Sequence, residues 1–130
     1  MLWRDGFCRI VRAASQDYPG FCRVILNRHV REMTDLDAAD RSRLMHAVFA
    51  CESALRELFR PEKVNLASLG NQVAHLHWHV IARHAGDRHF PDPIWAAPRR
   101  PAATDDTARP AVSDAQLGTR LALLLARPSH

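Results

Sequence analysis

Three histidines alternate with apolar residues in the segment HLHWHV. Side chains at i and i+2 of a β-strand share a face and lie about 6.5–7 Å apart, so His75, His77 and His79 are predicted to point the same way. Leu76 and Trp78 would face the opposite side, toward a hydrophobic core. An imidazole can be a zinc ligand, a nucleophile, a general acid or base, or a hydrogen-bonded structural residue.

The spacing of these imidazoles disfavours a metal site formed by all three. Zinc holds imidazole nitrogens at about 2.0–2.1 Å, which brings them within about 3.5 Å of each other, and residues along a straight strand do not converge so closely. Two of the histidines with a ligand from elsewhere remain an alternative. Clustered titratable groups mark functional sites, which disfavours three unrelated structural histidines. We expect no metal and no cofactor.

The catalytic interpretation uses the central residue, His77, as a nucleophile. Neutral imidazole attacks phosphorus, and the adduct is labile enough for water to complete the reaction. The flanking histidines would orient it or donate a proton to the leaving group. The phosphate oxygens also need donors, and the GNQ turn before the strand offers backbone N–H groups and the amides of Asn71 and Gln72.

The elements around this segment have the pattern of an α+β domain. Four runs bounded by turn residues are predicted strands: 7–12, 21–27, 63–70 and 73–83. Apolar residues at i, i+3 and i+4 predict a helix over 36–60, with Thr34 or Asp35 as N-cap and Pro61 at its end. This order favours a largely antiparallel sheet packed against one long helix.

The composition changes after residue 97. Recurring prolines up to Pro110 exclude regular structure, so we predict a domain at 1–97 and, at 98–130, an extended C-terminal arm with a short helix. Ser113 and Gln116 have the spacing of a capping box at the start of that helix. Its leucines need a partner, in this chain or another.

Composition narrows the class of protein. The 130 residues, 47% hydrophobic and 25% charged, are typical of one globular domain. No run is apolar enough for a membrane span or a secretion signal, which predicts a cytoplasmic protein without a membrane partner. The three scattered cysteines are expected to be buried hydrophobes. The net charge of +4 favours anionic partners, but the basic residues form no block, which makes nucleic acid an unexpected partner.

Two blocks of sequence resemble the histidine triad (HIT) family of nucleotide hydrolases and transferases. HLHWHVI at 75–81 matches its H-φ-H-φ-H-φ-φ signature, where φ is apolar, and PGFCRVILNRH at 19–29 is similar to its PGH-x-LViP-x-xH segment. The branch that it resembles is that of bacterial diadenosine polyphosphate hydrolases. The resemblance implies an α+β HIT-like fold, a homodimer, and cleavage of a nucleoside monophosphate from a leaving group, with no metal in the chemical step.

The resemblance also implies roles for single residues. His77 would form a nucleotidyl-histidine, and His79 would donate a proton to the leaving group. His75 and His29 would hold the hydrogen-bond network. The implied substrate contacts are Asn65, Asn71 and Gln72 toward ribose and phosphate, and Trp3 against the base.

The predicted function is therefore a hydrolase acting on phosphorus anhydride or phosphoramidate bonds, with dinucleoside polyphosphates or related AMP-linked compounds as substrates. Two departures from the family pattern favour an alternative, a nucleotide-binding module with weak or no catalysis. Phe21 stands where the family segment has histidine, and Ala13 or Ala14 falls where an acid often contacts ribose. A zinc-dependent hydrolase is a third hypothesis, and it requires a bound metal.

Two features after the triad have open interpretations. Trp95 is expected to pack in the core or at a dimer contact, or else to shape the leaving-group side of the cleft. His84 and His89 are expected in surface loops.

Overall fold

A five-stranded antiparallel sheet forms the centre of the molecule, in a computed structural model that describes residues 1–102 and 111–127. Residues 103–110 of the predicted arm and residues 128–130 lie outside the described part. The strands are β1 (Trp3–Arg4), β2 (Cys8–Arg12), β3 (Phe21–Leu26), β4 (Lys63–Ala67) and β5 (His77–Arg83). A 3-10 turn at Met33–Asp35 precedes the long helix α1 (Ala38–Phe59), and α2 (Asp114–Leu125) follows the arm. The α+β class is confirmed.

The two faces of the sheet differ in chemistry. The strand order is β1-β2-β3-β5-β4, which makes β5 a central strand between β3 and β4. Val24 lies opposite Trp78 on the face that packs against α1, and Val24 is fully buried. Arg23 lies opposite His79 on the other face. Successive side chains of a strand point to opposite faces of the sheet. Because the apolar residues of β5 face the core, its histidines lie on the face turned away from α1.

The histidine segment is a strand only from His77 onward, four residues later than predicted. Gly70, with φ of 75°, is followed by irregular backbone up to His77, and contacts with the segment after β3 hold that backbone out of the strand. The Leu76 N–H donates to the Val30 carbonyl at 2.9 Å, and the Leu76 carbonyl accepts from the Leu26 N–H at 3.3 Å. The backbone at His75 therefore lies outside the sheet ladder.

The start of α1 also differs from the prediction. The N-cap is Asp37, not Thr34 or Asp35, because the Asp37 carboxylate accepts from the Asp40 N–H at 2.8 Å. Asp35 belongs to the preceding 3-10 turn, where its carboxylate accepts from the Glu32 N–H at 3.0 Å. Two competing acidic caps lie within three residues, and the sequence pattern alone did not rank them.

The end of α1 is where the sequence places it. Phe59 is the last helical residue, Arg60 is left-handed with φ of 48°, and Pro61 follows. The buried Phe59 ring packs closely on the sheet at Gly20. A Cβ on Gly20 would lie 2.8 Å from the Ala82 Cβ and 3.3 Å from the Phe59 ring, so glycine permits this approach of β3 to its neighbours.

The leucines of α2 pack against other elements of this chain. Leu117 and Leu121 are fully buried in the same core as the residues of α1. The capping box is confirmed, since the Ser113 hydroxyl accepts from the Gln116 N–H at 3.1 Å and the Gln116 side chain accepts from the Ser113 N–H at 2.8 Å. The division after residue 97 remains a prediction. Neither helix among the described residues has the length and apolar character needed to cross a membrane.

A buried ion pair closes the far end of β5. Arg83 and Asp87 are 2% and 0% exposed, and the guanidinium donates to the carboxylate from Nε at 2.8 Å and from Nη2 at 3.0 Å. Arg83 also donates to the Asn65 side chain at 2.8 Å and to the Asp92 carbonyl at 2.7 Å. The pair thus ties β4, β5 and the segment after β5 together.

The carboxylate of Asp87 organises the loop that follows β5. It accepts from the N–H groups of His89 at 3.1 Å and Phe90 at 2.8 Å, and from the Tyr18 hydroxyl at 3.1 Å. Burial alone would raise the pKa of Asp87, but the hydrogen bonds from Arg83 and the backbone hold it well below its usual range. His89, expected in a surface loop, is buried, and its Nδ1 lies 2.6 Å from the Tyr18 hydroxyl.

Replacing Asp87 by asparagine should lower the free energy of unfolding by about 3–5 kcal/mol at neutral pH, because Arg83 would stay buried without a counterion. The folded-state pKa of Asp87 lies below its unfolded value of 3.8, so this stabilisation is present above that pH and is lost as the pH falls further. Urea unfolding followed by tryptophan fluorescence measures both effects.

Asp92→Asn is the matched control, since the Arg99–Asp92 ion pair is exposed and should contribute less than about 1 kcal/mol. Equal stability of Asp87→Asn and the natural chain would contradict this account of the ion pair.

Candidate active site

A cavity of about 660 Å³ opens on the sheet face that is turned away from α1. Its lining includes His75, His77 and His79, together with Asn71 and Gln72 from the turn before β5. The structure therefore brings together five of the eight predicted site residues in one concave site. Such a concave cluster of convergent polar groups is the usual form of a small-molecule site.

Two predicted contact residues lie outside this cavity. Trp3 is opposite Ile10 in the register of β1 and β2, and Ile10 is fully buried in the core shared with α1. The Trp3 side chain therefore packs on the opposite face of the sheet. Asn65 is opposite Ile81 on β5, and its side-chain oxygen accepts from Arg83. Asn65 thus belongs to the network of the buried ion pair.

The hydrogen bonding of His77 defines which ring nitrogen can react. Its Nδ1 lies 2.5 Å from the carbonyl oxygen of His75. A carbonyl only accepts hydrogen bonds, so Nδ1 carries the proton and donates it. In the neutral imidazole, Nε2 then has a free lone pair. The geometry therefore prepares Nε2 of His77 as a base or nucleophile on the cavity floor.

His75 connects His77 to a third histidine that does not line the cavity. The Nε2 of His75 donates to the Leu26 carbonyl across 2.5 Å, which makes Nδ1 of the neutral ring an acceptor. The Nδ1 of His29 lies 3.0 Å from this atom and must therefore donate to it. A directed chain of hydrogen bonds thus runs from His29 through the His75 ring, and the carbonyl of the same His75 orients His77.

His79 is enclosed by aromatic rings. Its ring centroid lies 5.6 Å from that of Phe21, 4.9 Å from that of His77 and 5.1 Å from that of Trp95. Its buried Nδ1 has no hydrogen-bond partner in the described part of the chain. Burial, followed by the charges of His77 and Arg23, lowers the pKa of His79 to about 4. His79 is therefore neutral at neutral pH, and a bound anion is what would favour its protonation.

Two arginines of the cavity are not among the predicted site residues. Arg9 and Arg23 both line it. The signal that identifies Arg23 is strand alternation, because its neighbours Cys22 and Val24 are buried in the core and Arg23 must face the other way. Alternation gives only the face of the sheet. The position of Arg23 next to the triad follows from the register of β3 against β5, which places Arg23 opposite His79.

Trp95 also lines the cavity. It is 51% exposed, which excludes a place in the core, and its ring contacts His79 of the same chain. Its position on the cavity agrees with a wall of the cleft, and a dimer contact remains a prediction. Residues 1–102 and 111–127 contain no group of three or more His, Cys, Asp or Glu placed to hold a metal ion.

The chain is similar to known proteins in sequence and in structure. The profile of the HIT domain matches residues 1–86. A histidine triad protein from Marinobacter aquaeolei VT8 superposes with a TM-score of 0.71 and 27% identity, over 96% of this chain and 87% of that one. A histidine triad protein from Bradyrhizobium japonicum superposes with a TM-score of 0.68 and 27% identity, over 99% of this chain and 89% of that one. A histidine triad protein from Sinorhizobium meliloti 1021 superposes with a TM-score of 0.69 and 26% identity, over 91% of this chain and 83% of that one. No match was found among curated proteins.

Replacing Phe21 by alanine should raise the pKa of His79 from about 4 toward its ordinary value of 6.5, because burial is the largest cause of the depression. NMR titration of the imidazole proton signals, assigned with a His79→Gln variant, measures the shift. Phe49→Ala removes an exposed ring from α1 and should leave the titration of His79 unchanged.

Trp95→Ala uncovers His79 from the other side and should also raise its pKa, so the test does not depend on one variant. Titration of His79 near pH 4 in both alanine variants would show that enclosure by these rings is not the cause.

Proposed function

Because the chain belongs to the HIT domain family, we propose that it cleaves a nucleoside monophosphate from AMP-linked compounds such as dinucleoside polyphosphates. The family membership supports a nucleotide-binding and hydrolase-type function, since HIT proteins are generally nucleotide hydrolases or transferases. The observation that carries the finer proposal is the hydrogen bond from His77 Nδ1 to the His75 carbonyl. It leaves Nε2 as a nucleophile in a cavity suited to phosphate.

In the proposed first step, Nε2 of His77 attacks the α-phosphorus and forms a nitrogen–phosphorus bond. The bond from phosphorus to the leaving group breaks, and its electron pair goes to the leaving oxygen or nitrogen. The positive charge that develops on the His77 ring is stabilised by the hydrogen bond from Nδ1 to His75. His29 holds the His75 ring and thus acts as a positioning residue.

His79 supplies the proton that a poor leaving group requires. Its ring lies beside that of His77, and the negative charge of a bound substrate favours its protonated form despite the burial. In the second step, water attacks the phosphorus and the nitrogen–phosphorus bond returns its electrons to His77. Neutral His79 accepts the proton of the water and releases it to solvent once the anionic product has left, which restores the resting enzyme with a neutral His79.

The remaining walls of the cavity fit a nucleotide. Asn71 and Gln72 offer amide donors to phosphate or ribose oxygens. Leu69, Val73 and Trp95 are exposed apolar residues on the same cavity, and an apolar rim around a polar floor suits a nucleobase joined to phosphate. We also propose, as the resemblance implies, a homodimer that requires no metal in the chemical step, and, as the sequence pattern predicts, a cytoplasmic location.

Replacing His77 by alanine should reduce turnover of diadenosine tetraphosphate by about a thousandfold or more, because the nucleophile is lost. Binding of AMP should persist, since the other walls remain. Nucleotide release is measured by chromatography in the presence of a chelator, and His84→Ala is the control histidine outside the cavity.

Normal turnover by His77→Ala would overturn the nucleophile assignment. AMP binding by the natural chain without turnover of any AMP-linked substrate would instead indicate the binding module.

Replacing His79 by asparagine should slow cleavage of an AMP-amine phosphoramidate by about 10²–10⁴-fold, the usual contribution of a general acid. Cleavage of diadenosine tetraphosphate should slow much less, because a polyphosphate departs as an anion. The ratio of kcat values for the two substrates separates this role from a structural one. An equal loss on both substrates would refute proton donation by His79.

A further inference from the structure

Three arginines lie on three neighbouring strands on the cavity side of the sheet, with Arg23 displaced by two residues along β3 from the residue opposite Arg9. Arg23 lies opposite His79 in the pairing of β3 with β5, Arg9 lies opposite Ile25 of β3, and Arg4 lies opposite Arg9 in the pairing of β1 with β2. We call Arg4, Arg9 and Arg23 the arginine strip. Strands lie about 4.7–4.9 Å apart, so the strip extends roughly 9.5 Å across the sheet, from β3, next to β5, to the edge strand β1.

The charges of the strip have no carboxylate partner in the described residues. Arg9 donates to the side-chain oxygen of Asn27 at 3.2 Å, and the Arg23 guanidinium lies over the Phe21 ring, 5.1 Å from its centroid. Among residues 1–102 and 111–127, those that line the cavity include no Asp or Glu. Arginines elsewhere in the chain do form ion pairs with carboxylates: Arg12, Arg28, Arg43, Arg83, Arg88, Arg99 and Arg120.

The register of β1 against β2 adds a repulsion that an anion would relieve. Arg4 and Arg9 are direct cross-strand neighbours, and like charges in this arrangement are destabilising. A phosphate between two guanidinium groups neutralises them and accepts paired hydrogen bonds in the planar geometry that arginine offers. The strip also begins beside the triad, where the reacting phosphate must lie.

We propose that the arginine strip binds phosphate groups of the substrate other than the one that reacts at His77. This inference rests on the proposed function and makes its substrate class more specific, because it selects nucleotides that carry several phosphates. The additional phosphates belong either to the 5′ chain of the leaving group or to the ribose. Both offer the same chemistry to the strip, and defined ligands distinguish them.

Calorimetry on the His77→Ala protein provides the test, because ligands are not consumed. AMP, adenosine 5′-tetraphosphate and adenosine 3′,5′-bisphosphate are compared at one fixed ionic strength. At least one of the latter two should bind about tenfold or more tightly than AMP, since each exposed guanidinium–phosphate contact contributes up to about fivefold. Tighter binding of the tetraphosphate alone assigns the strip to the 5′ chain, and tighter binding of the bisphosphate alone assigns it to the ribose.

Adding Arg4→Gln and Arg9→Gln to the same protein should remove most of that advantage while AMP affinity stays nearly constant. Arg56→Gln is the matched control, since Arg56 is exposed on α1 on the other side of the sheet. The glutamine pair should melt at the same temperature or higher, because it relieves the repulsion.

The proposal is overturned if neither multiply phosphorylated ligand binds more tightly than AMP, or if the advantage survives in the glutamine pair. Turnover by the natural chain is measured separately. Absence of turnover with a persisting affinity advantage would refute the proposed function and leave the strip intact, and turnover without the advantage would refute the strip alone.

Discussion

The buried pair of Arg83 and Asp87 is the interaction on which the arrangement of the cavity depends. Two opposite charges are removed from water at the end of the central strand, and this is tolerable only because each is saturated with hydrogen bonds. The bonds reach into β4 through Asn65 and into the loop after β5. That loop leads to Trp95, which covers His79. A structural ion pair therefore holds the wall that keeps a neighbouring imidazole neutral.

The irregular backbone at His75, just before β5, orients the histidines of the site as much as the strand itself does. A carbonyl within the ladder would be directed along the sheet toward a neighbouring strand. His75 lies just outside, so its carbonyl is available to His77 while its ring reaches the Leu26 carbonyl and His29. One residue thus fixes the protonation pattern of two others through separate groups. The irregular backbone after Gly70 has this consequence in addition to placing amides at the cavity.

The features that could be predicted from the sequence are those fixed by interactions between residues close together in the chain. The end of α1 at Pro61 and the capping box at Ser113 are local, and both are confirmed. The delay of β5 to His77 and the burial of His89 depend on contacts with distant segments, and local patterns do not contain them. Among the site residues, the triad is visible because its spacing has a meaning by itself. Arg23 and Arg9 become visible only once strand register is known, and Trp3 lies on the other face for the same reason.

The packing of α2 has a consequence for the order of events during synthesis. Leu117 and Leu121 complete a core whose other members come from the sheet and α1, and Arg12 of β2 donates to the Val112 carbonyl just before that helix. The triad strand leaves the ribosome some forty residues before this last layer, as the positions of His79 and Leu121 require. Part of the apolar surface of α1 therefore remains uncovered on the nascent chain. Native burial is reached only when residue 121 has emerged, which makes the completed core a late event that the C-terminal helix controls.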